Sequence, residues 1–87
     1  MPQTIAIDAR PLADPLGEAF PYTLNLVHAL AYVDSQTRFQ LFVDRDPDPA
    51  SLPQAANLTV TRLDAPARLW KASALPAAAR AVGADLL

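Results

Sequence analysis

Three short apolar runs constrain this chain more than any other feature of it: Thr4–Asp8 "TIAID", Arg38–Val43 "RFQLFV" and Leu58–Leu63 "LTVTRL". The first is β-branched and stops at a carboxylate, the pattern of a buried parallel strand with Asp8 at its carboxyl end. The second alternates and then turns continuously apolar. The third alternates strictly, but Leu58, Val60 and Leu63 do not share parity, so a bulge or an early end near Arg62 is expected. Between the first two runs Tyr22, Leu26, Ala29, Leu30 and Val33 recur at spacings of three and four, which predicts a helix burying that stripe. Asn25, His28 and Tyr32 then fall on or near its other face. Pro21 suits a first helical turn, where its missing N–H is no loss, and Asp34-Ser35 closes the helix.

Strand, helix and strand in this order predict an α/β fold. We expect a Rossmann-like, three-layer domain around a parallel sheet of three to four strands. The alanine-rich tail "PARLWKASALPAAARAVGADLL" is helical, divided in two by Pro76. Gly83 suits the position just past a helix end, and Ala84–Leu87 "ADLL" reads as the first residues of a fourth strand. Residues 1–87 are thus expected to be one N-terminal unit of a longer protein. Prolines punctuate the connections, and "DRDPDPASLPQAAN", Asp44 to Asn57, reads as an exposed loop.

Composition narrows the function classes. The 87 residues carry a net charge of −2, with no lysine-rich block, so nucleic-acid binding has no electrostatic footprint. No run approaches the roughly 20 apolar residues that span a bilayer, and no secretory signal is visible at the N-terminus. The expected location is cytoplasmic, with peripheral association at the inner face of a membrane as a further option. Without cysteine there is no thiolate nucleophile, disulfide or cysteine-held metal. No cofactor or metal is expected.

The loop Leu12–Phe20 is the main candidate site. It follows the carboxyl end of the first strand, where open α/β sheets bind ligands, and feeds a helix N-terminus, which favours phosphate. Within it only Gly17 could supply a positive φ cheaply. Glu18 would complement the helix dipole and oppose a diphosphate, and Pro21 deletes an N–H. The loop is therefore either a ligand cradle or a purely structural connection. Asp8 and Arg10 flank the strand end. Arg10 is the best-placed cation for an acceptor or phosphate, and the alternative is a local Asp8–Arg10 pair. His28, the sole histidine, points away from the predicted core stripe and is expected to be solvated, not a general base. Trp70, between Arg68 and Lys71, is expected to pack on the sheet, since two cations are too few to anchor a membrane contact. Asp44, Asp46 and Asp48, interleaved with Pro47 and Pro49, suit a solvated acidic loop better than a metal site.

Three segments in order, "IAIDARPL", "YTLNLVHAL" and "RLWKASALPAAARAVGADLL", resemble the N-terminal domain of GT-B glycosyltransferases. The likeness is to the retaining "group 1" kind that acts on polysaccharide and glycolipid precursors, and it spans nearly the whole chain. The resemblance implies an acceptor-side domain facing a C-terminal domain that grips a nucleotide-sugar donor through paired glutamates. It implies transfer of a sugar to a glycan or glycolipid acceptor with retention, the leaving diphosphate being stabilised by N–H dipoles and basic groups. Without those donor residues this chain alone is not expected to be catalytic. Where the family carries a glycine-rich segment before the helix, this chain has Leu16-Gly17-Glu18-Ala19-Phe20-Pro21. The loop departs from the family there, and the expected substrate-binding residues are Gly17 and its neighbour Glu18, toward donor phosphate or acceptor, with Arg10 as a supporting cation. The alternative is a non-catalytic Rossmann-like module with a degraded ligand loop, which binds a partner or self-associates through an exposed sheet edge.

Overall fold

A computed structural model of the chain describes residues 3–87. Strands β1 (Thr4–Asp8), β2 (Arg38–Val43), β3 (Leu58–Arg62) and β4 (Asp85–Leu86) form one sheet in the order β3-β2-β1-β4. Every neighbouring pair is parallel, and β1 runs against β2 in the register Thr4↔Arg38 to Asp8↔Phe42. The fold is therefore α/β around a four-stranded parallel sheet, compatible with a Rossmann-like domain. Sequence neighbours fill one side of β1, and the chain then returns to lay β4 on the other side.

Period-two alternation sorts the side chains into two cores. Ile5, Ile7, Phe39, Leu41, Val43, Leu58 and Val60 share one face, joined there by Leu12, Val27 and Leu52. Ala6 and Phe42 belong to the opposite face, under Trp70, Leu75 and Ala79. The parity break foreseen in the third run has this origin. β3 stops at Arg62. Leu63, of the same parity as Thr59 and Thr61 and still donating its N–H to Val43 O at 2.9 Å, falls on the second face by alternation and packs against that core, as does Ala65. Each large apolar side chain so enclosed is worth about 1.5–3 kcal/mol of transfer free energy.

Helix α1 (Phe20–Val33) covers the first face, but not with the expected stripe. Its buried residues are Thr23, Val27 and Ala31, with Leu24 and Leu30 packed beside them. Tyr22 is 72% exposed and Val33 82% exposed. The helix is apolar on most of its circumference, so two overlapping stripes compete, and side-chain shape against the sheet decides between them. The small and branched set at 23, 27 and 31 lets the helix sit close, whereas Tyr22 would hold it off.

The parallel connection from β2 to β3 contains no α-helix. It has one 3₁₀ turn, Pro49–Ser51, capped by the Asp48 carboxylate accepting from Ala50 N–H at 3.0 Å. The segment is mostly exposed, as expected, but Pro53 is buried and Leu52 joins the first core.

The tail does not break at Pro76. Helix α2 (Ala67–Leu69), a π-helical segment (Trp70–Ala74) and helix α3 (Leu75–Ala81) follow without a gap. Pro76 has no N–H to give, and in an α-helix its ring would strike the carbonyl of Ala72. A wider turn, closed by Leu75 N–H to Trp70 O, moves that carbonyl aside. The run ends as foreseen at Gly83, at φ +68°. Gly83 N–H reaches Arg80 O at 3.1 Å and Ala84 N–H reaches Ala79 O at 2.9 Å, the paired bonds of a Schellman motif. That turn aims Asp85 and Leu86 alongside Ile5 and Ala6, making β4.

Candidate functional site

The carboxyl ends of β1 and β2 open into a cleft of about 410 Å³. Its wall comes from three segments: the β1 end with the turn after it, the loop before α1, and the first residues after β2. All three predicted binding residues, Arg10, Gly17 and Glu18, lie on it, with Asp8, Asp14, Asp44 and Arg45.

The corner after β1 is built tightly. Ala9 N–H donates to Phe42 O at 2.8 Å, tying the corner to β2. A 3₁₀ turn, Arg10–Ala13, follows with Pro11 in its first positions, and Leu12 plugs the first core below. Asp8 and Arg10 form a forked pair: Nε to Oδ1 at 3.0 Å and Nη2 to Oδ2 at 2.8 Å, with Arg10 N–H also reaching Oδ1 at 3.2 Å. The local pairing that the sequence allows is thus present, and Arg10 still faces the cleft. Burial pushes the Asp8 carboxyl up, but the hydrogen bonds and charge of Arg10, helped by Lys71, outweigh it and hold Asp8 below its ordinary value. The same bond raises the Arg10 guanidinium.

Beneath the guanidinium lies an indole. Arg10 Cζ sits 4.4 Å from the Trp70 ring centroid, a cation–π contact worth about 1 kcal/mol. Trp70 is only 1% exposed, and its Nε1–H donates to Leu63 O at 3.0 Å. It packs on the sheet as expected, and its link to Arg10 is a feature that sequence reasoning missed.

Gly17 plays a different part from the expected one. Among the described glycines only Gly83 has a positive φ. What Gly17 supplies is room, because a Cβ there would lie 2.5 Å from Asp14 Oδ2. Part of the N–H set a phosphate would use is already engaged. Gly17 N–H donates to Asp14 O at 3.0 Å, Phe20 N–H donates to Gly17 O at 3.3 Å, and Pro21 has none. Around the opening stand four carboxylates, Asp8, Asp14, Glu18 and Asp44, against two guanidinium groups, Arg10 and Arg45. An anion entering here meets net negative charge, whereas a neutral polyol meets both donors and acceptors.

Arg45 joins the site unmarked by the sequence, Asp14 comes with the candidate loop, and Asp44, expected in a solvated acidic loop, stands on the same rim. Asp44 is legible in principle: Asp8 pairs with Phe42 across the register, so a residue two positions on must rise on the same rim. His28 lies away from this cleft, as expected, but it is half-buried and bonded, not freely solvated. Its Nε2 lies 2.8 Å from Ser51 O, and since a carbonyl only accepts, Nε2 carries the proton. Of the acidic loop residues, Asp46 pairs with Arg62 at 3.1 Å and Asp48 caps its own turn.

No protein-family profile, curated protein or solved structure matches this chain. No helix among the described residues is long and apolar enough to cross a membrane.

Proposed function

We propose that this chain is the acceptor-side domain of a two-domain glycosyltransferase, binding a hydroxyl-rich, uncharged part of a glycan or glycolipid acceptor in the cleft over β1 and β2. The observation that carries this reading is the lining of that cleft, which mixes two guanidinium groups with four carboxylates at the carboxyl rim of a parallel sheet. Sugar hydroxyls both donate and accept, so such a lining suits them. Arg10 offers the N–H groups that Asp8 leaves free, Asp44 and Glu18 offer acceptors, and the Gly17 turn leaves space. The nucleotide-sugar belongs to the partner domain of the two-domain arrangement, because four carboxylates against two guanidinium groups make this cleft a poor host for a diphosphate. Chemistry needs that second domain; this chain contributes recognition.

The test is a titration followed by backbone amide shifts. Neutral oligosaccharides are expected to move Gly17, Glu18, Phe20 and Asp44 amides, while UDP- and GDP-sugars leave them in place. Shifts with the nucleotide-sugars and none with any glycan would overturn the assignment.

A second reading has its own observation. β4 joins the sheet through two residue pairs only, and Leu86 and Leu87 beside it are exposed. An open parallel edge flanked by apolar side chains favours a module that pairs with a second copy of itself.

A further inference from the structure

We propose that Trp70 is a positioning residue for the cleft, holding the Arg10 guanidinium as a fixed donor plate toward the ligand, and that Pro76 sets Trp70 in place. The inference rests on the acceptor-binding reading above and names the part of that site which lies outside its lining.

Pro76 is an apparent defect in its helix. A proline inside a helical run forfeits a hydrogen bond and crowds the carbonyl four residues back. Here the run answers with the π-helical segment Trp70–Ala74, and Trp70 is its first residue. A π turn spreads one rotation over more residues than an α turn does, so it rotates every preceding side chain relative to an unbroken α-helix. Leu75 and Ala79, beyond the wide turn, pack into the second core with Ala6 and Phe42. Trp70, before it, packs into the same core but also reaches the rim of the sheet, under Arg10. Without the wide turn, one helix could not seat Leu75 in the core and the indole at the rim at these angles. π turns inside helices are frequent at functional sites for this reason.

The indole is itself immobilised. It is almost wholly buried, and Nε1–H is anchored on Leu63 O at 3.0 Å, at the point where the chain leaves β3. One face of the guanidinium is therefore covered by a fixed ring, and one edge is held by both carboxylate oxygens of Asp8. The remaining N–H groups, on Nη1 and the outer side of Nη2, are left to the cleft in a single plane. An arginine normally loses rotamer freedom when it binds; this one is already ordered, so a ligand gains its donors without that cost. That is the function of a positioning residue, and it explains why a buried tryptophan sits beneath a partly exposed cation.

The experiment reads Arg10 directly in the ligand-free chain and then reads binding. In the wild type the Arg10 δ-methylene protons are expected upfield of those of the other arginines through the indole ring current, and the Nε–H, held by Asp8, slow to exchange. Trp70→Leu is expected to abolish the upfield shift and weaken neutral-glycan binding about 5- to 10-fold. Trp70→Phe, which keeps an aromatic face, should retain most of the shift and bind within about 3-fold of the wild type. Pro76→Ala is expected to lose the shift partly, with Trp70 unchanged in sequence. If Trp70→Leu does not fold, Arg10→Lys, which leaves the indole and the core intact, should still lose binding about 5-fold or more. An unshifted Arg10 resonance in the wild type would overturn the proposal. So would a folded Trp70→Leu chain that binds like the wild type. A wild-type chain that binds no glycan removes the acceptor reading, and the Arg10 resonance alone then judges whether Trp70 holds the guanidinium.

Discussion

Asp8 grips Arg10 two residues away along the chain with both carboxylate oxygens, at 3.0 and 2.8 Å. The pair is local, yet it fixes the rim of the sheet, because Asp8 ends β1 and Arg10 opens the next turn. Its pH dependence has a definite sign. Burial raises the Asp8 pKa, the Arg10 bonds and charge lower it by more, and the folded value falls below the ordinary 3.8. The stability it contributes is complete above that ordinary value and is lost as pH falls through the lowered one. Asp8→Asn is expected to cost about 1 kcal/mol at neutral pH, given the partial exposure of the pair. Urea unfolding across the acid range checks this: the wild-type and Asp8→Asn curves should converge at the acid end. A constant gap between them would refute it.

The two glycines make opposite predictions. Gly83 has φ +68°, and nothing lies within 4 Å of the place an added methyl would take, so the obstacle to alanine there is the backbone angle alone. Gly83→Ala is expected to destabilise by about 1 kcal/mol through the left-handed strain. Gly17 has no positive φ, and the closest atom to an added Cβ is the free end of the exposed Asp14 side chain. Gly17→Ala should therefore cost less than about 0.5 kcal/mol, an ordinary surface effect, while displacing Asp14 into the cleft and altering its lining. Thermal unfolding of the two variants ranks them. The reverse order would show that crowding at Gly17 outweighs the φ strain at Gly83.

Helix α1 supplies a sharper contrast. Val27 is 1% exposed inside the first core, and Val27→Ala is expected to cost about 1–2 kcal/mol from lost methyls and the small cavity left. Val33 and Tyr22, which periodicity alone places on the core side, face outward. Val33→Ser and Tyr22→Ser should each stay within about 0.5 kcal/mol of the wild type. Denaturant midpoints for the three variants decide which stripe is buried.

That contrast also marks how far the sequence is legible. Strand runs, helix extent and the Gly83 stop depend on local chemistry, and they appear where the residues say. So does the early end of β3, because parity is a local count. The rotation of α1 is not local, since a helix apolar on most sides carries no record of which side meets the sheet. The site divides in the same way. Arg10, Gly17 and Glu18 follow from their place after β1, whereas Trp70 reaches Arg10 only through a π turn whose cause, Pro76, lies further down the chain. The His28 contact to Ser51 likewise joins two segments that nothing in sequence connects.

His28 gives the next test. Its Nε2–H is the tie between α1 and the Pro49–Ser51 turn, with the Ser51 carbonyl accepting at 2.8 Å. Removing it leaves that part-buried carbonyl to water or to nothing, a loss of about 1 kcal/mol. His28→Ala should speed hydrogen exchange at Ser51 and Leu52, whose amides close the turn onto Asp48 O and Pro49 O. His28→Gln, which can also donate, should restore protection in part. Unchanged exchange in His28→Ala would mean that the turn is held by its Asp48 cap alone.

The open edge of the sheet yields the final prediction. Just past β4, Leu87 N–H donates inward to Ala6 O at 2.9 Å. Because parallel ladders alternate, the N–H and C=O of Leu86 then point away from β1, at the free edge. Leu87, at 72% exposure, and Leu86 flank this unpaired position with apolar surface, and no lysine or proline blocks it, the usual protection of an edge. Self-association is therefore expected to grow with concentration, and sedimentation velocity should show a rising dimer fraction as the chain is taken from micromolar to about millimolar. Leu86→Lys and Leu87→Lys together should return it to monomer with the fold intact, since both side chains lie outside the two cores. A strict monomer across that range in the wild type would exclude the edge as a docking site for a second copy.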